Sequence, residues 1–299
     1  MISFRYHLVT IVAVFLALGL GLLAGTTVLK PILVRSLQKR TNSLEQQNRS
    51  LDLQLSQQRG VGDETLPYLV SGRLGGDQVV LVTTDGADPS MVGEAKTAVK
   101  LSGGTPIVLD VTSRMAATDA DLQDALAKIL DAPSTATRQQ LQRLAAQRIA
   151  QRLAAPPTAS GSGGQKDLLE QLFLGGFIKN VSNANPKDLG GSGEIVGVLS
   201  GGSTQTVLSP ESFSVPLVES LVKQGANVAA AEPTTTFYQF VSLVQDDGAV
   251  NSPMVTVDNA EQSIGGAALV LGLDDLVTTG QGGSYGVNEE ALIPGFSAP

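Results

Sequence analysis

Between Leu8 and Leu29 the chain runs for 22 residues without one ionisable side chain. At 1.5 Å per residue a helix of that length reaches about 33 Å, enough for a hydrocarbon core of about 30 Å. A secretory signal has a shorter apolar region, about 7–15 residues, closed by a small-x-small cleavage site. Here the run continues past Ala24-Gly25 through Thr26, Thr27 and Val28, with no clean cleavage motif. No cysteine follows, which excludes a lipoprotein anchor. Residues 1–30 therefore read as a membrane helix that stays in place. Ala17, Gly21 and Gly25 recur at steps of four, a small-xxx-small spacing that lets membrane helices approach closely.

Charge divides the chain. Residues 1–59 carry seven Lys/Arg and two Asp/Glu, and residues 60–299 carry 13 and 26, so the balances are +5 and −13. The acidic part is a poor partner for nucleic acid, whose phosphates call for Lys/Arg neutralisation. Lys30, Arg35, Lys39 and Arg40 suit anionic headgroups beside the membrane run. With Arg5 and His7 on the other side, a literal positive-inside count puts the long C-terminal part in the cytoplasm.

Residue types restrict the chemistry further. There is no cysteine, so no disulfide, thiolate metal site or thiol nucleophile exists. The single histidine, His7, lies at the membrane edge, which excludes a histidine-dependent triad or His-ligated metal beyond it. Cu(I) prefers Cys and Met, and the four methionines, Met1, Met91, Met115 and Met254, are scattered. No cofactor, no resident metal and no direct copper binding are expected.

After the anchor, Leu37, Leu44 and Leu51 recur every seven residues. Placing them at d puts Val34, Thr41, Asn48 and Leu55 at a, and residues 31–59 read as a parallel coiled coil that makes the protein a homodimer. A polar Asn at an a position favours a parallel pair in fixed register. Gly60 and Gly62 read as turn signals that open a globular part, residues 60–299, long enough for one large or two small domains.

That part alternates strand and helix. Val79 to Val82 form a continuous apolar run, as in a strand buried on both faces. Asp88 and Pro89 suit the N-cap and first position of a helix striped by Met91, Ala95, Ala98 and Val99, which Gly103-Gly104 end. Ile107 to Val111 make the next strand. The pattern returns in "EIVGVLSGG", in "SFSVPLVESLVKQGANVAAAEP" and in "MVTVDNAEQSIGGAALVLGL". The fold class is α/β, with a doubly wound Rossmann-like or flavodoxin-like domain. Between the units, Asp119 to Leu130 is amphipathic, and Leu141, Ala145, Ile149 and Leu153 stripe a basic helix whose arginines read as a solvated face, with a membrane surface or an acidic partner as the alternative. Residues 156–165 have the composition of a flexible loop, and Leu168 to Phe177 form a short apolar helix.

No catalytic constellation emerges. "TTDGADPS" matches neither G-x-G-x-x-G nor a P-loop, and Asp85 and Asp88 put negative charge where a phosphate would sit. "LSGGSTQT" lacks a P-loop lysine. Asp246-Asp247, Asp274-Asp275 and Glu289-Glu290 are adjacent, and neighbours in sequence do not face one reacting atom.

The opening "ISFRYHLVTIVAVFLALGLGLLAGT" and the closing "ALVLGLDDLVTTGQGGSYGV" resemble the actinobacterial MctB family, named for mycobacterial copper transport, and the likeness covers the whole chain. It implies copper homeostasis, with an outer-membrane channel as the proposed role. For a SteB-like branch it implies an anchor in the plasma membrane, a membrane partner and a part in cell-wall separation. It also implies that the globular domain lies outside the cytoplasm, against the charge count. Long domains translocate largely regardless of charge, so the N-terminus is expected to be cytoplasmic. A pore does not follow from the residues, because one apolar helix encloses nothing and the strands lack the alternating 9–11-residue pattern of a membrane barrel. The expected molecule is a non-catalytic, single-pass, dimeric envelope protein that binds a membrane or cell-wall partner. The alternatives are a copper-transport component acting through oligomerisation, and a Rossmann-like enzyme using the Ser200–Thr204 loop.

Overall fold

The computed structural model describes residues 4–24, 30–156, 167–180, 182, 184–185, 188–246, 253–289 and 291–297. Two compact units emerge, Met1–Gly60 and Val61–Pro299. The expected loop at 156–165 lies outside the described residues apart from Pro156, and Gly25 lies outside them too.

The first unit holds helix α1 (Phe4–Ala24) and most of α2 (Lys30–Val70). Gly60 and Gly62 do not end α2, as their turn-like composition predicts; it continues to Val70 with Pro67 inside it. Glycine costs a helix only about 1 kcal/mol per residue, and burial on the far side offsets that. Leu66 and Val70, with Leu74 just beyond, are buried in the second unit. Tertiary packing of an apolar face outweighs propensity here.

The second unit is a mixed α/β domain on a seven-stranded sheet. Its strands are β1 (Gln78–Thr84), β2 (Thr105–Val111), β3 (Ile178–Asn180), β4 (Ile195–Leu199), β5 (Asn227–Ala231), β6 (Val255–Val257) and β7 (Gly283–Tyr285). Their order across the sheet is β3-β2-β1-β4-β5-β6-β7. All pairs are parallel except β2 with the short edge strand β3. A hairpin of β8 (Ala291–Ile293) and β9 (Phe296–Ser297) follows.

Alternating side chains divide the core into two layers. Val80, Val82, Ile107, Leu109, Val196, Val198 and Val228 point to one face. Five helices cover it: α4 (Ala120–Leu130), α5 (Arg138–Ala154), α6 (Leu168–Leu174), α7 (Ser214–Lys223) and α8 (Phe240–Asp246). Val79, Leu81, Ile195, Ala229, Val255 and Val257 point to the other, under α3 (Pro89–Leu101), α9 (Ser263–Thr279) and the end of α2. One connection departs from the pattern. β6–α9–β7 steps across the sheet in the same direction as β4–α7–β5 but crosses on the opposite face, so it has the opposite hand.

Local signals behave as the sequence predicts in several places. The Asp88 carboxylate accepts from Ser90 N and Met91 N, with Pro89 opening α3, and Gly103 follows its end at φ 84°. The stripe of α5 is buried, while Arg138, Arg143 and Arg148 are exposed. Arg152 pairs with Asp167 at 2.5 Å inside the fold.

Candidate functional site

Three regions carry functional weight, and each is built differently. On α1, every large apolar side chain from Phe4 to Leu23 is more than half exposed. The segment Phe4–Leu23 is the one helix among the described residues long and apolar enough to cross a membrane, with a mean hydropathy of 2.2. Apolar surface this continuous is not left in water by a soluble fold. Ala17 and Gly21 sit one turn apart on this helix, and the space where a Gly21 side chain would lie is open.

On α2, Leu37, Leu44 and Leu51 are 56%, 59% and 55% exposed. Seven-residue steps drift only about 20° around a helix, so the three share one face, which nothing among the described residues covers. Thr41 and Asn48 are exposed on the same helix; Val34 and Leu55 belong to α2, but their side chains lie outside the described residues.

The third region is the carboxyl edge of the sheet, where open α/β folds place their ligands, at the point of strand-order reversal. Here that point lies between β1 and β4, and it is plugged. Asp88 N donates to Gly201 O at 2.9 Å. A side chain on Gly86 would meet Thr206 Cγ2 at 2.5 Å, and one on Gly202 would meet Gly86 O at 2.4 Å. The two glycine loops interlock where a phosphate or nucleotide would enter. Ser200, the first residue of the Ser200–Thr204 loop of the enzyme reading, is buried and accepts from Ser214 Oγ at 3.1 Å.

Two strand-end carboxylates that sequence reading passed over tie loops down beside this edge. Glu232, after β5, accepts from Val241 N at 3.1 Å, and Asp258, after β6, accepts from Val287 N at 2.7 Å and Asn288 N at 2.9 Å. Burial pushes the Glu232 carboxyl up to about 7, although the backbone N–H groups of Val241 and Phe240 pull the other way. The signal available in the sequence was an acidic residue directly after an apolar strand, in "AAAEP" and "VTVDN".

Beside the plug, between β1, β2 and α3, a cleft of about 370 Å³ stays open, lined by groups that include Asp85, Lys96 and Asp110. No group of three or more His, Cys, Asp or Glu side chains suited to a metal occurs among the described residues. Met91 and Met115 are fully buried in the two core layers.

The family model described as "Copper transport outer membrane protein, MctB" matches residues 1–294. The Copper transporter MctB of Mycobacterium leprae is 26% identical over 313 residues, covering 97% of this chain and 98% of that protein. The protein of the same name from Mycobacterium tuberculosis H37Rv is 24% identical over 314 residues, covering 98% of each.

Proposed function

The chain belongs to the MctB family, and from that premise we propose that it is a membrane-tethered binding protein rather than an enzyme. In this reading α1 is a single-pass anchor in the cell membrane, with the N-terminus cytoplasmic and the α/β domain outside. Two chains pair in parallel through Val34, Leu37, Thr41, Leu44, Asn48, Leu51 and Leu55. The domain, wound in a flavodoxin-like manner, holds a membrane or cell-wall partner protein, with cell-wall separation as the process served. Close packing of Ala17, Gly21 and Gly25 extends the pair into the membrane.

The observation that carries this reading is the exposed leucine seam: Leu37, Leu44 and Leu51 recur at seven-residue steps on one face of α2, each more than half exposed. An absence of cysteine makes the test direct. Leu44→Cys in the full chain, reconstituted in lipid nanodiscs, should oxidise to a disulfide-linked dimer, whereas Lys39→Cys, at the outward-facing f position, should do so far less. Equal cross-linking of both, or of neither, overturns the pairing. A phosphatase reporter fused after Pro299 should be active outside the cytoplasm; activity only inside overturns the orientation.

The relatives are named for copper transport, and that favours a second reading, a transport component in the cell or outer membrane. One helix encloses no path, so this requires several copies of α1 or a partner. Copper titration of the full chain separates the two: tight stoichiometric binding supports the second reading and counts against an indirect link to copper.

A further inference from the structure

With the crevice between β1 and β4 plugged, the opening at the carboxyl edge moves to the β1–β2 side. The face of the sheet that carries Asp110 is covered by α3, α9 and the end of α2, while α4, α5 and α6 all pack on the other face. The cleft of about 370 Å³ lies there, within the size range of small-molecule sites. One wall is a single face of α3: Pro89, Val92, Gly93 and Lys96 follow i, i+3, i+4 and i+7 spacing. This face is distinct from the buried stripe of Met91, Ala95, Ala98 and Val99 that fastens α3 to the core.

The lining carries both signs of charge. Asp110 is half-buried and accepts from Thr83 Oγ1 at 3.2 Å. Burial raises its pKa, with Asp85 raising it further and the Thr83 hydroxyl and Lys179 lowering it. Such a carboxylate gains from a cation that enters the cleft. Lys96 is half-buried and makes no ion pair among the described residues. From Pro89 to Lys96 α3 runs about 10 Å, the length of two to three extended residues at about 3.4 Å each.

We infer that this cleft binds a short zwitterionic peptide, its ammonium toward Asp85 and Asp110 and its carboxylate toward Lys96. A lining that carries both signs of charge favours a ligand with both termini free. Val92 and Val108 in the same lining offer apolar contact to small side chains. Gly93 leaves the wall open, because a side chain there would meet no atom within 4 Å.

The test is calorimetry on the full chain in detergent with dialanine and trialanine, against N-acetyl-dialanine and dialanine amide. The free peptides should bind saturably, and each blocked form at least about tenfold more weakly, the loss of one charge-assisted hydrogen bond. Lys96→Met and Asp110→Asn should each cost dialanine about the same factor, and Lys96→Arg should restore binding. Gly93→Leu fills the cleft on an exposed helical position, so it should abolish binding while unfolding no earlier than the parent. Absence of saturable binding by either free peptide overturns the proposal, and so does equal affinity for the blocked forms.

Discussion

Glu232 follows the last residue of β5, and its Oε2 accepts from the backbone N–H of Val241 at 3.1 Å. Removal from water lifts its carboxyl from 4.5 to about 7. Between those values the folded domain holds a proton that the unfolded chain has released, so stability falls as pH rises from about 4.5 through about 7. At about 1.4 kcal/mol per pH unit the loss by pH 8 would be about 3.5 kcal/mol, and solvent screening of this incompletely desolvated group brings it to roughly 2–3 kcal/mol. Glu232→Gln keeps an acceptor for Val241 and removes the charge. Urea unfolding should place the variant near the parent at pH 4.5 and about 2 kcal/mol above it at pH 8; a parent curve flat between those pH values would refute the assignment. Glycines make a second comparison at this scale. A side chain on Gly265 would lie 2.1 Å from Asn259 O, whereas one on Gly93 meets nothing within 4 Å. Gly265→Ala should therefore destabilise the domain by about 2 kcal/mol or more, while Gly93→Ala should stabilise it by about 0.5–1 kcal/mol. The same substitution in two helices then moves the unfolding midpoint in opposite directions, and a shared direction would mean that packing around α9 is misjudged.

Elements differ in how plainly the residues announce them. β1, β2, β4 and β5 were legible because strands buried on both faces are unbroken apolar runs, and α3 because Asp88-Pro89 is a strong opening signal. β7 was not, since Gly283 and Ser284 disfavour a strand, Tyr285 alone does not announce one, and the three pair along the edge that β6 offers. The end of α2 was hidden by Gly60 and Gly62, whose local preference yields to burial of Leu66 and Val70. The cleft was hidden for a different reason: Asp85, Lys96 and Asp110 belong to a loop, a helix and a strand, and nothing in their spacing brings them together. How the end of α2 is held gives an element-scale prediction. Val70 is fully buried, whereas the Arg73–Asp274 pair at 3.0 Å has a half-exposed arginine. Val70→Ala should cost about 1–3 kcal/mol, and Arg73→Ala no more than about 0.5 kcal/mol because water screens the pair. Differential scanning calorimetry that finds the arginine dominant would reverse the account of this attachment.

For the whole molecule, the question is what covers the surfaces one chain leaves bare. An exposed apolar helix calls for lipid, and exposed leucines at seven-residue steps call for another helix. On the proposed reading the anchor would favour a parallel partner, since two chains tethered in one bilayer would start from the same plane and meet at high effective concentration. On the proposed pairing, Asn48 is the residue that would decide how many chains meet. A polar side chain at an a position is buried at some cost, and it is tolerated where two asparagines face each other across a two-stranded seam. Asn48→Leu removes that restriction and adds apolar area. The variant should pair more tightly yet less uniquely, with shifted registers or trimers appearing beside the dimer. Mass photometry of the full chain in nanodiscs would count the chains, and cysteine cross-linking along residues 37–51 would read the register. An unchanged dimer in an unchanged register would mean that Asn48 lies off the seam, and the heptad phase built on Leu37, Leu44 and Leu51 would have to be abandoned.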